Sequence, residues 1–352
     1  MASDTSSDAI KQMSEFIETV DEPFKKTFRT MHQGYVQQTL ERFLKAREGN
    51  VAKAIKMLHD CLNWRVQNDI DNILAKPIEP REVYNAVRES QLMGMTGYCK
   101  QGRPVLAIGV GLSAYDKASA DKYVQSHIQM NEYRDQVLLP NVTKKQGRYI
   151  GPCLKVLDMT GLKLSALNRI KILTMISTVD DLNYPEKTET YYIVNAPYVF
   201  SACWKVVKPL LQERTRRKVQ VLQGCGRDEL LKVMDYDVLP HFARQEASGS
   251  SKRNKDQTID CFSPDHPFHV ELYNYIKQQA AIVKPLAPAK MSSFHVDVPE
   301  QDAEGTVIVH TIETALQEFG DEEGVENGVA NLKLNGDHSL RTQGSGRKEI
   351  QG

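Results

Sequence analysis

The sequence predicts an α/β fold: a mainly parallel sheet with flanking helices, preceded by a small helical N-terminal subdomain. Two observations carry this. Short apolar or β-branched runs at residues 104–109, 153–158, 191–194 and 219–222 alternate with longer stretches of helical periodicity, the pattern of strands joined by helical crossovers. Upstream of residue 92, apolar side chains recur at three- and four-residue spacing, the period of amphipathic helices.

In chain order, Leu40, Phe43 and Leu44 share one helical face. Val51, Ala54, Ile55, Leu58, Leu62 and Val66 share a second, and Gly49-Asn50 supplies the break and cap between the two helices. Pro77 and Pro80 precede another helix through Val83 and Val87, which closes a subdomain over residues 1–92. After Gly102-Arg103-Pro104 the pattern becomes strand 104–109, a long helix 118–139, strand 153–158, helix 165–179, strand 191–194, an apolar helix, strand 219–222 and helix 228–234. One α/β domain over residues 93–245 accounts for these. Beyond it, SGSSKRNKDQT has linker composition, and residues 270–283, bearing Tyr273, Tyr275 and Ile276, fit one amphipathic helix. Residues 246–289 are therefore read as linker and C-terminal helix. Residues 290–352, acidic and rich in Gly, Asn and Ser, are read as a disordered tail with a short ordered patch at 307–319.

Charge is distributed unevenly. The net charge is zero, which argues against a general nucleic-acid binder. Yet residues 205–218 hold six basic side chains against Glu213 alone, while residues 297–330 hold ten acidic ones and no Lys or Arg. The six cysteines are at least 22 residues apart, without a CxxC pair, so reduced thiols are expected. The start of the chain is polar and no apolar run approaches 18 residues, so any membrane role should be peripheral.

Catalytic signatures are weak. Gly109-Val-Gly111 lacks the third glycine of a dinucleotide fingerprint, and the nine histidines show no HExxH or close spacing, so neither a cofactor nor a metal site is expected. Asp180-Asp181 reads as a solvated or capping pair. The stretch from Tyr184 to Lys218 is more informative. Tyr191, Tyr192, Ile193 and Val194 form a strand stopped by Asn195, Ala196 and Pro197. In the following helix Val199, Phe200, Ala202, Cys203, Trp204, Val206, Val207, Leu210 and Leu211 point around most of the circumference, unlike the single stripe of a surface helix. Either protein covers both faces, or one face meets something apolar that is not protein.

FLKAREGNVAKAIKMLHDCLNWR, GRPV, LDMTGLKLS, YPEKTETYYIVNAP, KPLLQERTRRKV and LLKVMDYDVLP together resemble the CRAL-TRIO lipid-binding family, in its Sec-fourteen-like phosphatidylinositol-transfer branch, over about residues 25–245. The resemblance implies a sheet that floors a hydrophobic lipid pocket and a mobile gate helix at about residues 195–211. Phe200, Trp204, Val207 and Leu211 would then meet the bilayer, and Lys205, Lys208, Arg214, Arg216 and Arg217 its anionic surface. By position, Arg47 of FLKAR, Glu186 of YPE, and Thr215 and Lys218 after the gate fall where the family cradles the inositol phosphate headgroup. Arg47, Lys218 and Thr215 can donate to phosphate oxygens, and Glu186 can accept from inositol hydroxyls.

The chain departs from the family elsewhere. Where phosphatidylcholine-exchanging members carry a serine and a threonine it has Cys153 and Lys155. Leu106 and Gly109 replace a tyrosine and a glutamate, Asn131 replaces a tyrosine, and LPHFARQ replaces the glycine pair after the last helix. Choline recognition loses its aromatic and hydroxyl partners.

What the resemblance implies is a cytoplasmic, monomeric, non-catalytic protein that associates peripherally with membranes and binds and transfers or presents phosphatidylinositol for phosphoinositide metabolism. Its expected partners are phosphatidylinositol, phosphorylated inositol lipids and an anionic membrane surface. Two other readings stay open: a phosphoinositide-binding peripheral adaptor with little exchange, and a carrier of a non-phospholipid hydrophobe such as a sterol or prenyl compound.

Overall fold

A computed structural model describes residues 2–162, 170–197, 200, 204, 213–244 and 260–283. Four helices open the chain: α1 (Ala2–Thr19), α2 (Glu22–His32), α3 (Val36–Ala46) and α4 (Val51–Gln67). The break between α3 and α4 lies at the predicted place, with Gly49 at φ 81° and the Asn50 side chain accepting from the Lys53 N–H at 3.0 Å. Leu40, Phe43 and Leu44 of α3 and Ala54, Leu58 and Leu62 of α4 close with Met13, Ile17 and Phe28 into one apolar cluster. Val66 shares their periodicity but lies exposed at the end of α4. A 3-10 turn, Ile70–Ala75, and α5 (Arg81–Ser90) lead into the sheet.

The sheet has five strands in the order β1 (Met93–Tyr98), β2 (Pro104–Gly109), β3 (Cys153–Asp158), β4 (Thr188–Val194) and β5 (Val219–Val221). The last four run parallel, and β1 pairs antiparallel with β2. β1 has no counterpart among the predicted strands, because Met-Gly-Met-Thr-Gly-Tyr has neither a β-branched run nor clean alternation. Alternation along β2 and β3 then splits the core in two. Leu106 and Cys153 face one way, toward α6 (Ala120–Tyr133) and α8 (Ile170–Asn183). Val105, Ala107, Leu154 and Val156 face the other, joining Leu230, Met234, Leu239 and Phe242.

The predicted helix over 118–139 is α6 and a π-helical turn, Arg134–Leu138, and the chain continues past the predicted end as α7 (Leu139–Gln146). Pro140 is the cause. It cannot donate to the carbonyl four residues back, and its ring displaces that carbonyl, so the ladder widens just before it. Further α-helices among the described residues are α9 (Glu213–Lys218), α10 (Arg227–Val233) and α11 (Pro267–Ile282). α11 starts three residues earlier than predicted, with Pro267 in the first turn, where its missing N–H costs nothing. It buries Phe268, Leu272 and Ile276 in the first core. Gly94 in β1 makes room for its approach, since a Cβ there would lie 2.0 Å from the Cys261 carbonyl oxygen.

Candidate functional site

The turn before β4 sets a carboxylate between two ammonium groups. Glu186 takes a left-handed conformation, φ 58°, which costs a non-glycine residue about 1–2 kcal/mol. Its side chain is 8% exposed and accepts from Lys218 Nζ at 2.8 Å, with Lys45 Nζ at 3.6 Å. Lys218 closes α9 just before β5, the strand parallel to β4, so sheet pairing fixes this contact. Lys45 lies in the last turn of α3, which Arg42 ties to the same turn by donating from Nη1 to the Pro185 carbonyl at 3.0 Å. These groups line a hollow of about 250 Å³ together with Tyr149 and Thr188. Three cations, Arg42, Lys45 and Lys218, and three carboxylates, Glu41, Glu186 and Glu189, line it, so the hollow can take an anionic oxygen group and a hydroxyl at once.

Behind the hollow is a buried ionic cluster. Lys187 follows Glu186 but turns inward, its Nζ 2.9 Å from Asp135 Oδ2. Arg134 donates from Nε to the other Asp135 oxygen at 2.6 Å. Burial would raise the Asp135 carboxyl, but Arg134 and Lys187 hold it well below the usual carboxylate range. Burial, and then the Arg42 charge, push the Lys187 ammonium down to about 7, against the pull of Asp135. Arg42 Nε and Arg134 Nη2 are buried with no hydrogen-bond partner. Positive charge is in excess here.

A second cluster sits on the sheet face toward α6 and α8. Buried Lys155 of β3 donates to Asp180 Oδ2 at 3.2 Å, while Asp180 Oδ1 accepts from Asn131 Nδ2 at 2.7 Å and lies 2.7 Å from His127 Nε2. Arg134 Nη1 donates to Asn131 Oδ1 at 2.8 Å. Burial would raise the Asp180 carboxyl, but His127 and Lys155 hold it far below its ordinary value. Asp180 is thus no solvated or capping residue. It is the junction that joins α6, β3 and α8.

Of the residues singled out by sequence, Glu186 and Lys218 meet directly. Arg47 ends α3, donates from Nη1 to the Ala46 carbonyl at 3.1 Å, and is not among the residues lining the hollow. Thr215 and Arg214 belong to α9, with side chains outside the described residues. Arg216 is half-buried, and exposed Arg217 pairs with Glu213. Phe200 and Trp204, four residues apart, stack with ring centroids 6.0 Å apart and planes 13° from parallel. Val207, Leu211, Lys205 and Lys208 lie outside the described residues. Leu106 and Gly109 are in β2, and Cys153 donates from Sγ to the Lys187 carbonyl at 3.2 Å. Lys45, inside the FLKAR motif, and Arg42, just before it, were legible as neighbours of Arg47 but were not selected. Tyr149 carried no signal.

Known proteins share its domains and fold. A CRAL/TRIO, N-terminal domain matches residues 9–60, and a CRAL/TRIO domain matches residues 88–243. The phosphatidylinositol/phosphatidylcholine transfer protein SFH9 of Arabidopsis thaliana is 28% identical over 217 residues, which cover 60% of this chain and 37% of that protein. Its relative SFH12 is 30% identical over 207 residues, 57% of this chain and 38% of that protein. The SEC14 cytosolic factor of Eremothecium gossypii is 28% identical over 57% of this chain and 67% of its own length. The chain therefore spans less than two fifths of the two plant relatives. The crystal structure of Sfh5 shares the fold, with a TM-score of 0.52 at 19% identity over 79% of this chain and 98% of that one.

Proposed function

The chain belongs to the CRAL/TRIO family, and on that premise we propose that it binds phosphatidylinositol and transfers or presents it at a membrane. The observation that carries this reading is the Glu186–Lys218 pair in a hollow lined by charges of both signs, where the helical subdomain meets the sheet. Inositol hydroxyls donate to Glu186, and the phosphodiester accepts from Lys218 and Lys45, with Arg42 adding charge. Without ligand, Lys218 and Glu186 satisfy each other, so the headgroup exchanges one set of charge-assisted bonds for another. The role is one of binding and gating rather than bond chemistry.

Magnitudes separate the two halves of the lipid. Lifting its two acyl chains into water exposes roughly 30 methylenes at about 0.8 kcal/mol each, on the order of 20 kcal/mol or more. Hydrogen bonds to charged groups contribute only about 1.5–3 kcal/mol each. The fold must therefore shelter the chains, while the hollow selects the headgroup. The gate is assigned to residues 195–211, with the stacked Phe200 and Trp204 on its apolar surface. Peripheral docking falls to this helix and the basic residues that follow it. No helix among the described residues is long and apolar enough to cross a membrane.

Transfer of labelled phosphatidylinositol between vesicles tests the assignment. Glu186→Ala combined with Lys218→Ala should reduce transfer at least about tenfold, the loss of one or two charge-assisted bonds. Equal transfer by wild type and variant would remove the headgroup site.

Phosphatidylcholine, in contrast, is proposed to be a poor ligand, although the named relatives are phosphatidylinositol/phosphatidylcholine transfer proteins. Lys155 and Asn131 stand at positions of choline recognition in the family pattern, and Asp180 already binds both. A quaternary ammonium entering there meets the buried Lys155 cation instead of an open aromatic cage. The expected result is phosphatidylcholine transfer at the protein-free background under conditions where phosphatidylinositol moves. Comparable rates for the two lipids would contradict this.

A further inference from the structure

We propose that His241, Asp260 and Cys261 form a site for a zinc-type divalent cation that fastens the segment preceding α11 to the end of the sheet domain. His241 opens a 3-10 turn, His241–Ala243, after α10, whereas Asp260 and Cys261 lie just ahead of α11. No spacing in the sequence joins them, which is why the histidines gave no metal signature; the fold does so. His241 Nδ1 is 3.1 Å from Asp260 Oδ1 and 3.5 Å from Cys261 Sγ, and all three donor atoms lie within 4.8 Å of one another.

The geometry suits a tetrahedral ion. A cation about 2.0–2.1 Å from nitrogen and oxygen and about 2.3 Å from sulfur holds such donor pairs roughly 3.3–3.6 Å apart, so the two pairs that include His241 already fit, and the Asp260–Cys261 pair, within 4.8 Å, closes by about 1 Å at most. Each donor is also oriented from outside the set. The His241 ring is wedged edge-on between Phe242 and Phe262, at 5.2 and 5.3 Å between centroids. Asp260 Oδ1 accepts the Phe262 N–H at 2.8 Å. Cys261 is 3% exposed, and its carbonyl, admitted by Gly94, lies 3.2 Å from His269 Nε2. Asp260 is 54% and His241 33% exposed, so a cation can enter from solvent. The adjoining hollow, lined by Thr96, Asp237, Arg244 and His266, leaves the fourth position to water or to the His266 ring, with the Arg244 guanidinium held by the Leu239 and Asp237 carbonyls at 2.9 Å.

Charge and ligand type choose the metal. One thiolate, one carboxylate and one imidazole neutralise a divalent ion, and thiolate with imidazole favours zinc over magnesium or calcium, which take oxygen ligands. On binding, the Cys261 S–H bond breaks, the S–metal bond forms and the proton leaves to solvent, with no change of oxidation state. The ion then bridges segments 20 residues apart, outside the region matched by the CRAL/TRIO domain on the Cys261 side.

The test uses the full chain, stripped with chelator and titrated with Co²⁺ as the spectroscopic probe, then with Zn²⁺ in competition. The expected result is one Co²⁺ per chain, with thiolate-to-cobalt charge-transfer absorption that Zn²⁺ removes. That band should vanish in Cys261→Ser and persist in Cys225→Ser. Exposed Asp260 is the ligand whose replacement disturbs packing least, and Asp260→Asn should weaken Zn²⁺ binding at least about tenfold and abolish the rise in Tm that Zn²⁺ gives the wild type. Absence of the band, its persistence in Cys261→Ser, or Zn²⁺ binding unchanged by Asp260→Asn would overturn the proposal.

Discussion

Glu132→Ala is expected to lower the unfolding free energy by about 3–5 kcal/mol, the usual cost of removing one partner of a buried ion pair. Arg65 of α4 reaches across from the helical subdomain and grips Glu132 of α6 with both terminal nitrogens, at 2.7 and 2.9 Å. The same guanidinium donates to Asp71 at 2.8 and 3.1 Å, and Thr27 of α2 donates to Asp71 at 2.8 Å. Tyr184 donates to Glu132 Oε1 at 2.6 Å. Burial, and then the Glu132 charge, push the Tyr184 hydroxyl well above its ordinary value, so it stays protonated as a donor. Burial would lower Arg65, but Glu132 outweighs it and holds the guanidinium firmly charged. Alanine at 132 therefore strands a buried cation and a buried hydroxyl together. Urea unfolding would show a lower midpoint at unchanged slope, and a loss below about 1 kcal/mol would mean that Asp71 alone satisfies Arg65. On the proposed function, phosphatidylinositol transfer should fall as well, because this network seats the subdomain that carries Arg42 and Lys45.

How far the sequence revealed this depends on whether a feature is local. The α3–α4 break was legible because Gly49 and Asn50 act within a few residues of themselves, and the parallel strands because each is a short apolar or β-branched run between turns. β1 was not, because two glycines stand where its pattern would show, and one of them, Gly94, is required by the approach of Cys261 from 167 positions further on. The π-turn was hidden behind an unbroken helical period, with Pro140 as its only mark. In the hollow, Glu186 and Lys218 were found through motifs. The pairing of Lys155 with Asp180, and of His241 with Cys261, was invisible because partners on different elements leave no spacing signal. Asp180 was misread for that reason: next to Asp181 it looks solvated, whereas three donors from two other elements converge on it.

Lys187→Met is expected to stabilise the protein at pH 6, with the gain fading as the pH approaches 10. The sign follows from the depressed ammonium. Free lysine loses its proton near 10.5, whereas in the fold burial and Arg42 bring Lys187 to about 7. Between those values the unfolded chain binds the proton and the folded chain does not, so stability rises with pH. Below about 7 both states carry it, and the folded state bears the whole penalty, on the order of a few kcal/mol. Methionine fills a similar volume without the charge, and Asp135 keeps Arg134 at 2.6 Å. Unfolding followed from pH 6 to 10 would read the converging curves, and a difference independent of pH would refute this account. On the proposed function, binding should move the other way. A phosphodiester in the hollow offsets the Arg42 charge that repels Lys187, so the wild type gains a proton on binding phosphatidylinositol near neutral pH and Lys187→Met does not. A variant more stable yet weaker in binding would mark Lys187 as a residue kept for its ligand rather than for the fold.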